Sequence, residues 1–243
     1  MFILFVPQRI LISYFFALEV TNVNLLNCAS SLPTEHNIIL AVAPMEGVMD
    51  HTMRALLSRV GGMDYLVSEF VRVTQRRVPA QSLKRLVPEL NNHCQTPYKH
   101  PVHLQLLGSN IETMAKTAAE ASLAGVTHLD LNFGCPAKRV NGHGGGSFML
   151  QDPETLYQVV KAVRESLASN IPLSAKMRLG YLDEDLFFEN LEAIEKAGAD
   201  TLTIHGRTKK DGYGPAARWE KIGEAVKRSK MTIIANGDIQ DRA

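Results

Sequence analysis

Short apolar segments alternate with helical patterns along most of this chain, and that alternation constrains the fold more than any other feature. Seven segments predict strands, at residues 38–43, 65–70, 101–108, 127–133, 173–179, 201–205 and 231–235. They recur at intervals of about 30 residues, which leaves room for a helix between successive strands. The sequence therefore predicts an α/β fold in which parallel strands are joined by helical crossovers.

Helix signals occupy the intervals between the predicted strands. Asp50 and Asp152 are typical N-cap residues, and Pro153 suits the first helical position. Glycines at 61, 125 and 198 follow the apolar periodicity and are typical of helix ends. These signals predict helices at residues 51–60, 111–124, 153–167, 185–197 and 219–228.

Two architectures fit this alternation, an open doubly wound sheet and a closed TIM-type (β/α)8 barrel. A doubly wound dinucleotide-binding sheet carries Gly-x-Gly-x-x-Gly after its first strand, where this chain has Pro44-Met45-Glu46-Gly47. Polar residues stand at or near the ends of most predicted strands: Glu69, Gln105, Asn132, Lys176, Arg178, His205 and Asn236. Such side chains converge when strand ends form a ring, which favours the barrel. Seven of eight strands are predicted, so we expect the eighth to be missing and one sheet edge to be open.

Cys135 is the most conspicuous candidate for chemistry. It follows the apolar strand at 127–133, stands between Gly134 and Pro136, and precedes a predicted loop with four glycines at 142–146. Barrel enzymes place reactive groups at this end of their strands. A small buried cysteine without chemistry is the structural alternative.

Composition excludes several classes of protein. The 243 residues suit one large domain, and a net charge of +1 leaves any nucleic-acid contact to local patches. Cys28, Cys94 and Cys135 form no Cys-x-x-Cys pair, which argues against disulfides and zinc and fits a reducing cytoplasm. No acidic or His/Cys cluster indicates a metal site. We expect a monomer.

Residues 1–37 differ from the remainder, and residues 38–243 form the predicted barrel domain. The clean apolar run at 10–18 is far shorter than the ~20 residues of a membrane-spanning helix. A signal peptide has basic residues ahead of its apolar run, and residues 1–6 contain none. We interpret 1–37 as a non-essential extension or a misplaced start; a weak membrane or targeting segment is the alternative.

The strand-end side chains form a chemically coherent set. Gln105 and Asn132 can read a planar heterocycle through paired donors and acceptors. Lys176 and His205 suit a ring that gains negative charge on reduction, and Cys135 can supply a proton. Each has a structural alternative, such as a solvated lysine, a hydrogen-bonded histidine or a buried glutamine. Their shared position on successive strands favours a site for a reduced flavin over a hydrolytic one.

Seven motifs in the same order resemble the tRNA-dihydrouridine synthases. They are Ala43-Pro44-Met45-Glu46-Gly47, Gln105-Leu106-Leu107-Gly108, Asp130-Leu131-Asn132-Phe133-Gly134-Cys135-Pro136, Asn141-Gly142-His143-Gly144-Gly145-Gly146, Lys176-Met177-Arg178-Leu179-Gly180, His205-Gly206-Arg207-Thr208 and Asn236-Gly237-Asp238-Ile239. The resemblance runs from about Leu40 to the chain end. Glu69-Phe70-Val71-Arg72-Val73 and Pro88-Glu89-Leu90 are most similar to the bacterial C-type branch, which is associated with uridine 16 of the D-loop.

The resemblance implies an FMN-containing barrel, followed by a helical domain that grips tRNA. NADPH reduces the flavin, hydride passes to C6 of a flipped-out uracil, and the residue matching Cys135 protonates C5 from the opposite face. A proton donor of this kind must remain a thiol, so an ordinary pKa of about 8.5 suits it.

The resemblance also assigns residues to the two ligands. The flavin-binding set is Pro44, Met45, Gln105, Lys176, His205, Asn236, Gly237 and Asp238. Asn132, Lys176 and Arg178 match positions near the uracil, and Glu69 is a further candidate for substrate binding. Candidate phosphate contacts are Lys138, Arg139, Arg72, Arg76 and Arg77; a solvated charged rim is their alternative reading.

This chain also departs from the family pattern. The family's eighth strand, with its Gly-Arg pair for the flavin phosphate, and its C-terminal helical domain have no counterpart. Two alternatives therefore stay open: an FMN barrel oxidoreductase acting on a free small molecule, such as a dihydroorotate or an enone, and an inactive truncated fragment.

Overall fold

The computed structural model describes residues 3–6, 10–14 and 39–239. The strands are β1 Ile3–Val6, β2 Ile10–Tyr14, β3 Ala41–Val42, β4 Tyr65–Val67, β5 Val71–Arg72, β6 Val102–Leu107, β7 Leu129–Phe133, β8 Leu173–Arg178, β9 Thr201–His205 and β10 Thr232–Ile239. The helices are α1 His51–Val60, α2 Ala80–Leu86, α3 Ile111–Ala124, α4 Lys138–Asn141, α5 Pro153–Ser166, α6 Phe187–Lys196 and α7 Trp219–Arg228. Two 3-10 helices span Pro88–Asn92 and Gly146–Gln151.

The seven predicted parallel strands are confirmed as one curled sheet with helical crossovers. The strand order is β3, β4, β6, β7, β8, β9, β10, and each neighbouring pair is parallel. The strand predicted at 65–70 ends earlier, because β4 stops at Val67. Short β5 begins just after the predicted segment and pairs with the end of β6. The carboxyl ends of all these strands consequently meet at one end of the curled sheet.

The edge at β10, which the sequence analysis expects to be open, is paired. Strand β2 lies parallel to β10, with Ile10 opposite Ile233 and Ser13 opposite Asn236. Strand β1 runs antiparallel to β2 and completes a hairpin. Part of the predicted N-terminal extension therefore lies beside the seventh strand, where a closed barrel has its eighth. Residues 15–38 and 240–243, which hold most of that extension and the expected seventh crossover helix, are outside the described residues.

The helix signals are satisfied as the sequence predicts. The carboxylate of Asp50 accepts from the backbone N–H of Met53, and that of Asp152 accepts from Thr155. Helices α1, α3 and α7 have the predicted bounds, and α3 ends at Gly125 in the left-handed conformation. Fully buried Leu104, Leu129 and Leu131 lie in the apolar core between the sheet and its helices. No helix in the described part of the chain is long and apolar enough to cross a membrane.

Candidate active site

A cavity of about 750 Å³ opens at the carboxyl ends of the strands. Its walls come from the ends of β3, β7, β8, β9 and β10, and they gather most of the predicted site residues. The lining comprises Pro44, Met45, Glu46, Phe70, Asn132, Gly134, Cys135, Pro136, Lys176, Arg178, His205, Arg207, Tyr213, Asn236, Gly237 and Asp238. Side chains that are far apart in sequence thus share one chamber.

Hydrogen bonds from neighbouring residues fix the backbone of Cys135. Its carbonyl oxygen accepts from Asn141 Nδ2 at 3.0 Å, from Ser147 Oγ at 2.9 Å and from the Ser147 N–H at 3.1 Å. Gly146 has φ +60°, and a Cβ there would lie 2.8 Å from the Cys135 carbonyl oxygen. The stretch predicted as a loop therefore contains α4 and a 3-10 helix packed tightly around the cysteine.

The Cys135 thiol is suited to donating a proton. Burial is the main influence on its pKa and raises it above the ordinary value. A raised pKa keeps the sulfur protonated at neutral pH, whereas a nucleophilic cysteine needs a lowered one.

Lys176 places an ammonium group against the same chamber. Burial, and then repulsion from Arg178, lower the pKa of Lys176 to about 8. No ion pair joins its ammonium to a carboxylate among residues 39–238. A half-buried ammonium without such a partner is arranged to meet negative charge on a ligand.

His205 is a neutral side chain with an unused hydrogen-bonding atom. Burial, and then the nearby cations of Lys176, Arg178 and Arg207, lower its pKa far below the ordinary value. Its buried Nδ1 has no hydrogen-bond partner among the described residues. An orphaned ring nitrogen beside an ammonium fits a planar heterocycle that offers polar atoms along its edge.

A bend within the last residues of β10 supplies backbone to the chamber wall. Gly237 has φ +117° and Asp238 has φ +53°, so the chain turns sharply at this point. Asp238 accepts from the guanidinium of Arg207 and from the Ala217 N–H. The Asn236-Gly237-Asp238 motif is thereby fixed to the loop that follows β9.

Arg178 has a largely structural setting. Its Nε donates to the Gly134 carbonyl at 3.0 Å, and its Nη1 donates to the carbonyls of Thr208 and Gly212. The guanidinium also lies 5.5 Å from the ring centroid of Tyr213. Arg178 therefore fixes the backbone before Cys135 while it lines the cavity.

Seven predicted residues do not line this cavity: Gln105, Glu69, Lys138, Arg139, Arg72, Arg76 and Arg77. Gln105 is fully buried behind Asn132, and Glu69 accepts from the Gly47 N–H at 2.5 Å. Lys138 and Arg139 lie exposed on α4. Arg72 lies over the Phe70 ring and lines a neighbouring groove of about 820 Å³ with Arg76 and His143.

Six further lining residues are absent from the predicted set: Glu46, Phe70, Gly134, Pro136, Arg207 and Tyr213. Glu46 and Arg207 belong to motifs at strand ends, so their position was a usable signal. Tyr213 is 71% exposed at the cavity mouth, and its ring centroid lies 6.1 Å from that of His205. It stands in an irregular loop without periodicity, so no sequence pattern marked it. Among the described residues, no group of three or more His, Cys, Asp or Glu side chains could hold a metal ion.

Comparison with known proteins places the chain in a family. The dihydrouridine synthase (Dus) family model matches residues 41–243, and the chain belongs to that family. A tRNA-dihydrouridine(16) synthase of Yersinia pestis is 46% identical over 201 residues, which are 82% of this chain and 64% of that protein. The enzyme of the same name from Shewanella oneidensis is also 46% identical, over 83% of this chain and 64% of its own length. The chain thus spans somewhat less than two thirds of these relatives, and the predicted family resemblance is confirmed.

A solved structure supports the fold alone. Histamine dehydrogenase from Rhizobium sp. 4-9 superposes with a TM-score of 0.56 at 14% identity, covering 81% of this chain and 40% of that one. The likeness extends through most of the curled sheet and its helices.

Proposed function

We propose that this chain carries the catalytic barrel of a flavin-dependent tRNA-dihydrouridine synthase, which reduces a D-loop uridine to 5,6-dihydrouridine in the cytoplasm. Uridine 16 is the proposed target because the two relatives described above carry that position in their names. The observation that carries the proposal is that Cys135, Lys176 and His205 line one cavity. Membership of the dihydrouridine synthase family supports the reduction of uridine as the reaction.

FMN is the proposed cofactor, and NADPH is its proposed reductant. Bound FMN, once reduced, supplies hydride to C6 of uracil. Lys176 and His205 would supply polar contacts to the bound flavin, and Pro44, Met45, Asn236, Gly237 and Asp238 would complete its binding set. Gln105 does not line the cavity, and it contributes indirectly by accepting a hydrogen bond from Asn132, which does.

Cys135 completes the reduction as a general acid. Its S–H donates the proton to C5 as hydride arrives at C6, and the thiolate then regains a proton from solvent. NADPH thus contributes the hydride and solvent, through Cys135, the proton. Asn132 and Arg178 line the part of the cavity beside Cys135 and are the proposed neighbours of the uracil.

Basic side chains around the cavity mouth are the proposed phosphate contacts of tRNA. Arg72 and Arg76 line the adjacent groove, and no ion pair joins either to a carboxylate within the described residues. Lys138 and Arg139 are exposed on α4, whose Val140 lines the same groove. Glu69 orders the loop beside the cavity through the Gly47 N–H.

Flavin reoxidation under anaerobic conditions tests this proposal. The chain is loaded with FMN, reduced with NADPH and mixed with unmodified tRNA while the oxidised-flavin absorption is followed. Cys135→Ala should leave reduction by NADPH intact and slow reoxidation by tRNA by about 10²- to 10⁴-fold, the usual range for loss of a general acid. Cys94→Ala is the matched control, because Cys94 is buried outside the cavity.

Other outcomes point to the alternatives. Reoxidation by free uracil or a small enone, but not by tRNA, would identify a small-molecule oxidoreductase. A chain that binds no flavin would be an inactive fragment.

A further inference from the structure

A line of side-chain hydrogen bonds joins a buried carboxylate to the backbone of Cys135. Gln105 Nε2 donates to Asp130 Oδ2 at 2.6 Å, and Asn132 Nδ2 donates to Gln105 Oε1 at 2.8 Å. Asn132 Oδ1 then accepts from the N–H groups of Gly134 at 3.0 Å and Cys135 at 2.9 Å. We call this series of bonds the Asp130 relay.

The direction of every bond in the Asp130 relay follows from its upper end. Two backbone N–H groups require the oxygen of Asn132, so its nitrogen must face Gln105. Gln105 therefore turns its oxygen to Asn132 and its nitrogen to Asp130. A nitrogen that can only donate needs an acceptor, and the Oδ2 atom of Asp130 is that acceptor.

Because the Asp130 carboxylate is buried, loss of this acceptor would leave the Gln105 amide without a partner. Asp130 is 4% exposed and Gln105 is fully buried, so bulk water cannot replace a lost bond. Ser174 Oγ donates to the other oxygen of Asp130 and is itself within 3.0 Å of His128 Nε2. A buried carboxylate is costly unless such bonds satisfy it, and an unpaired amide in the same place is costly too.

We propose that Asp130 is a positioning residue that sets the place of Cys135 through Gln105 and Asn132. The proposal rests on the proposed function, in which Cys135 delivers a proton to the uracil. The Asp130 relay fixes the N–H of Cys135, while Asn141 and Ser147 fix its carbonyl oxygen. Asp130 acts as an acceptor in this role, and its charge is not required.

Replacements at Asp130 separate these two properties. Asp130→Leu has similar volume and removes the acceptor. Asp130→Asn removes the charge but can still present its oxygen to Gln105, with its nitrogen turned to Ser174 Oγ as acceptor. Gln105→Met breaks the Asp130 relay one step higher, and Ser174→Ala is the control because it leaves the Asp130–Gln105 bond in place.

Alkylation of Cys135 by iodoacetamide, resolved by peptide mass spectrometry, is the first readout. It needs neither flavin nor tRNA. Asp130→Leu and Gln105→Met should react several-fold faster than wild type, because the loosened thiol is better solvated and its pKa falls. Asp130→Asn and Ser174→Ala should react at the wild-type rate.

Dihydrouridine formation is the second readout. Asp130→Leu should lose about 10- to 100-fold in kcat, as expected when a reacting group is displaced by roughly 1 Å. Asp130→Asn should retain activity close to wild type.

Two results would overturn the proposal. One is an Asp130→Leu protein in which Cys135 is alkylated, and dihydrouridine is formed, at the wild-type rates. The other is an Asp130→Asn protein as impaired as Asp130→Leu, which would assign the role to charge. If Asp130→Leu does not fold, wild-type behaviour of Gln105→Met counts against the proposal in its place. The variants could show the expected order of alkylation rates while the wild-type chain reduces no tRNA. That result would refute the proposed function, and the Asp130 relay would then have only a structural role in the loop of Cys135.

Discussion

Lys176 on β8 and Gln105 on β6 show that polar residues near the same end of the sheet can lie at different depths. Lys176 reaches the cavity, whereas Gln105 lies under Asn132 and joins a buried hydrogen-bond series. Strand alternation predicts that both point inward, but it carries no information on depth along the barrel axis. Depth depends on the register between neighbouring strands, such as Gln105 opposite Asp130, which is a long-range property. Tyr213 was missed for a related reason, because its place depends on how an irregular loop folds over the cavity.

The lowered pKa of Lys176 predicts pH-dependent flavin binding. Its ammonium is present below a pH of about 8 and is lost above it, so affinity for FMN should fall as pH rises through that value. Titrations of FMN fluorescence from about pH 6.5 to about pH 9 would measure the change, because the interval brackets the pKa and stays below that of an ordinary lysine. Lys176→Arg keeps its charge throughout and should remove the pH dependence. A wild-type affinity that is flat across this interval would contradict the proposed role.

Three arginines in unequal settings lie between Arg72, the last residue of β5, and the start of α2. The guanidinium of Arg77 bonds to the carboxylate of Glu120, whereas Arg72 and Arg76 line the groove beside the cavity. All three arginines were predicted as phosphate contacts, because Glu120, the partner of Arg77 alone, is more than forty residues away from it and gives no local signal. The structure therefore distinguishes between neighbours that look equivalent in the sequence.

This difference predicts unequal effects on tRNA binding. Arg76→Ala should weaken binding and lower the slope of log K against log salt by about 0.7 to 0.9, the change expected for one lost phosphate contact. Arg77→Ala removes the same formal charge but only a paired guanidinium, so its slope should match wild type. Filter binding of unmodified tRNA at several salt concentrations would measure both. Equal slopes for the two variants would remove Arg76 from the RNA-binding surface.

Element boundaries followed the sequence where local chemistry sets them. Helices α1 and α3 begin after capping side chains and end at glycine, and both were predicted to the residue. Strand β2 was not predicted, because its pairing with β10 joins residues more than two hundred positions apart. The bidentate ion pair of Arg54 with Glu89 was not predicted either, although Pro88-Glu89-Leu90 was identified as a motif.

At the scale of the whole molecule, buried and half-buried histidines lie at both ends of the sheet. His205 lines the cavity, while Tyr65, His103 and His128 stack across β4, β6 and the start of β7, with centroid separations of 4.2 and 3.7 Å. Burial lowers the pKa of His103 well below its ordinary value and that of His128 to about 4. All three imidazoles are therefore neutral in the folded chain at neutral pH.

These histidines predict loss of stability on acidification. The unfolded chain takes up protons near pH 6.5 and the folded chain does not, so the free energy of unfolding should fall below that pH. Each histidine should contribute on the order of 1 kcal/mol between about pH 7 and pH 5.5, partly offset by Asp130, whose pKa is raised by burial. Urea unfolding at the two pH values measures the loss, and His128→Asn should reduce it. Unchanged or greater stability at the lower pH would contradict this account.

The central claim is that strand-end residues hold a flavin opposite Cys135 so that a uridine of tRNA is reduced between them. The most direct test is nucleoside mass spectrometry of unmodified tRNA after incubation with the chain, FMN and NADPH. The account predicts that one D-loop uridine gains two hydrogens, and that Cys135→Ala abolishes nearly all of this product. A flavin-loaded protein that oxidises NADPH yet forms no dihydrouridine, or a Cys135→Ala variant that forms as much as wild type, would contradict it.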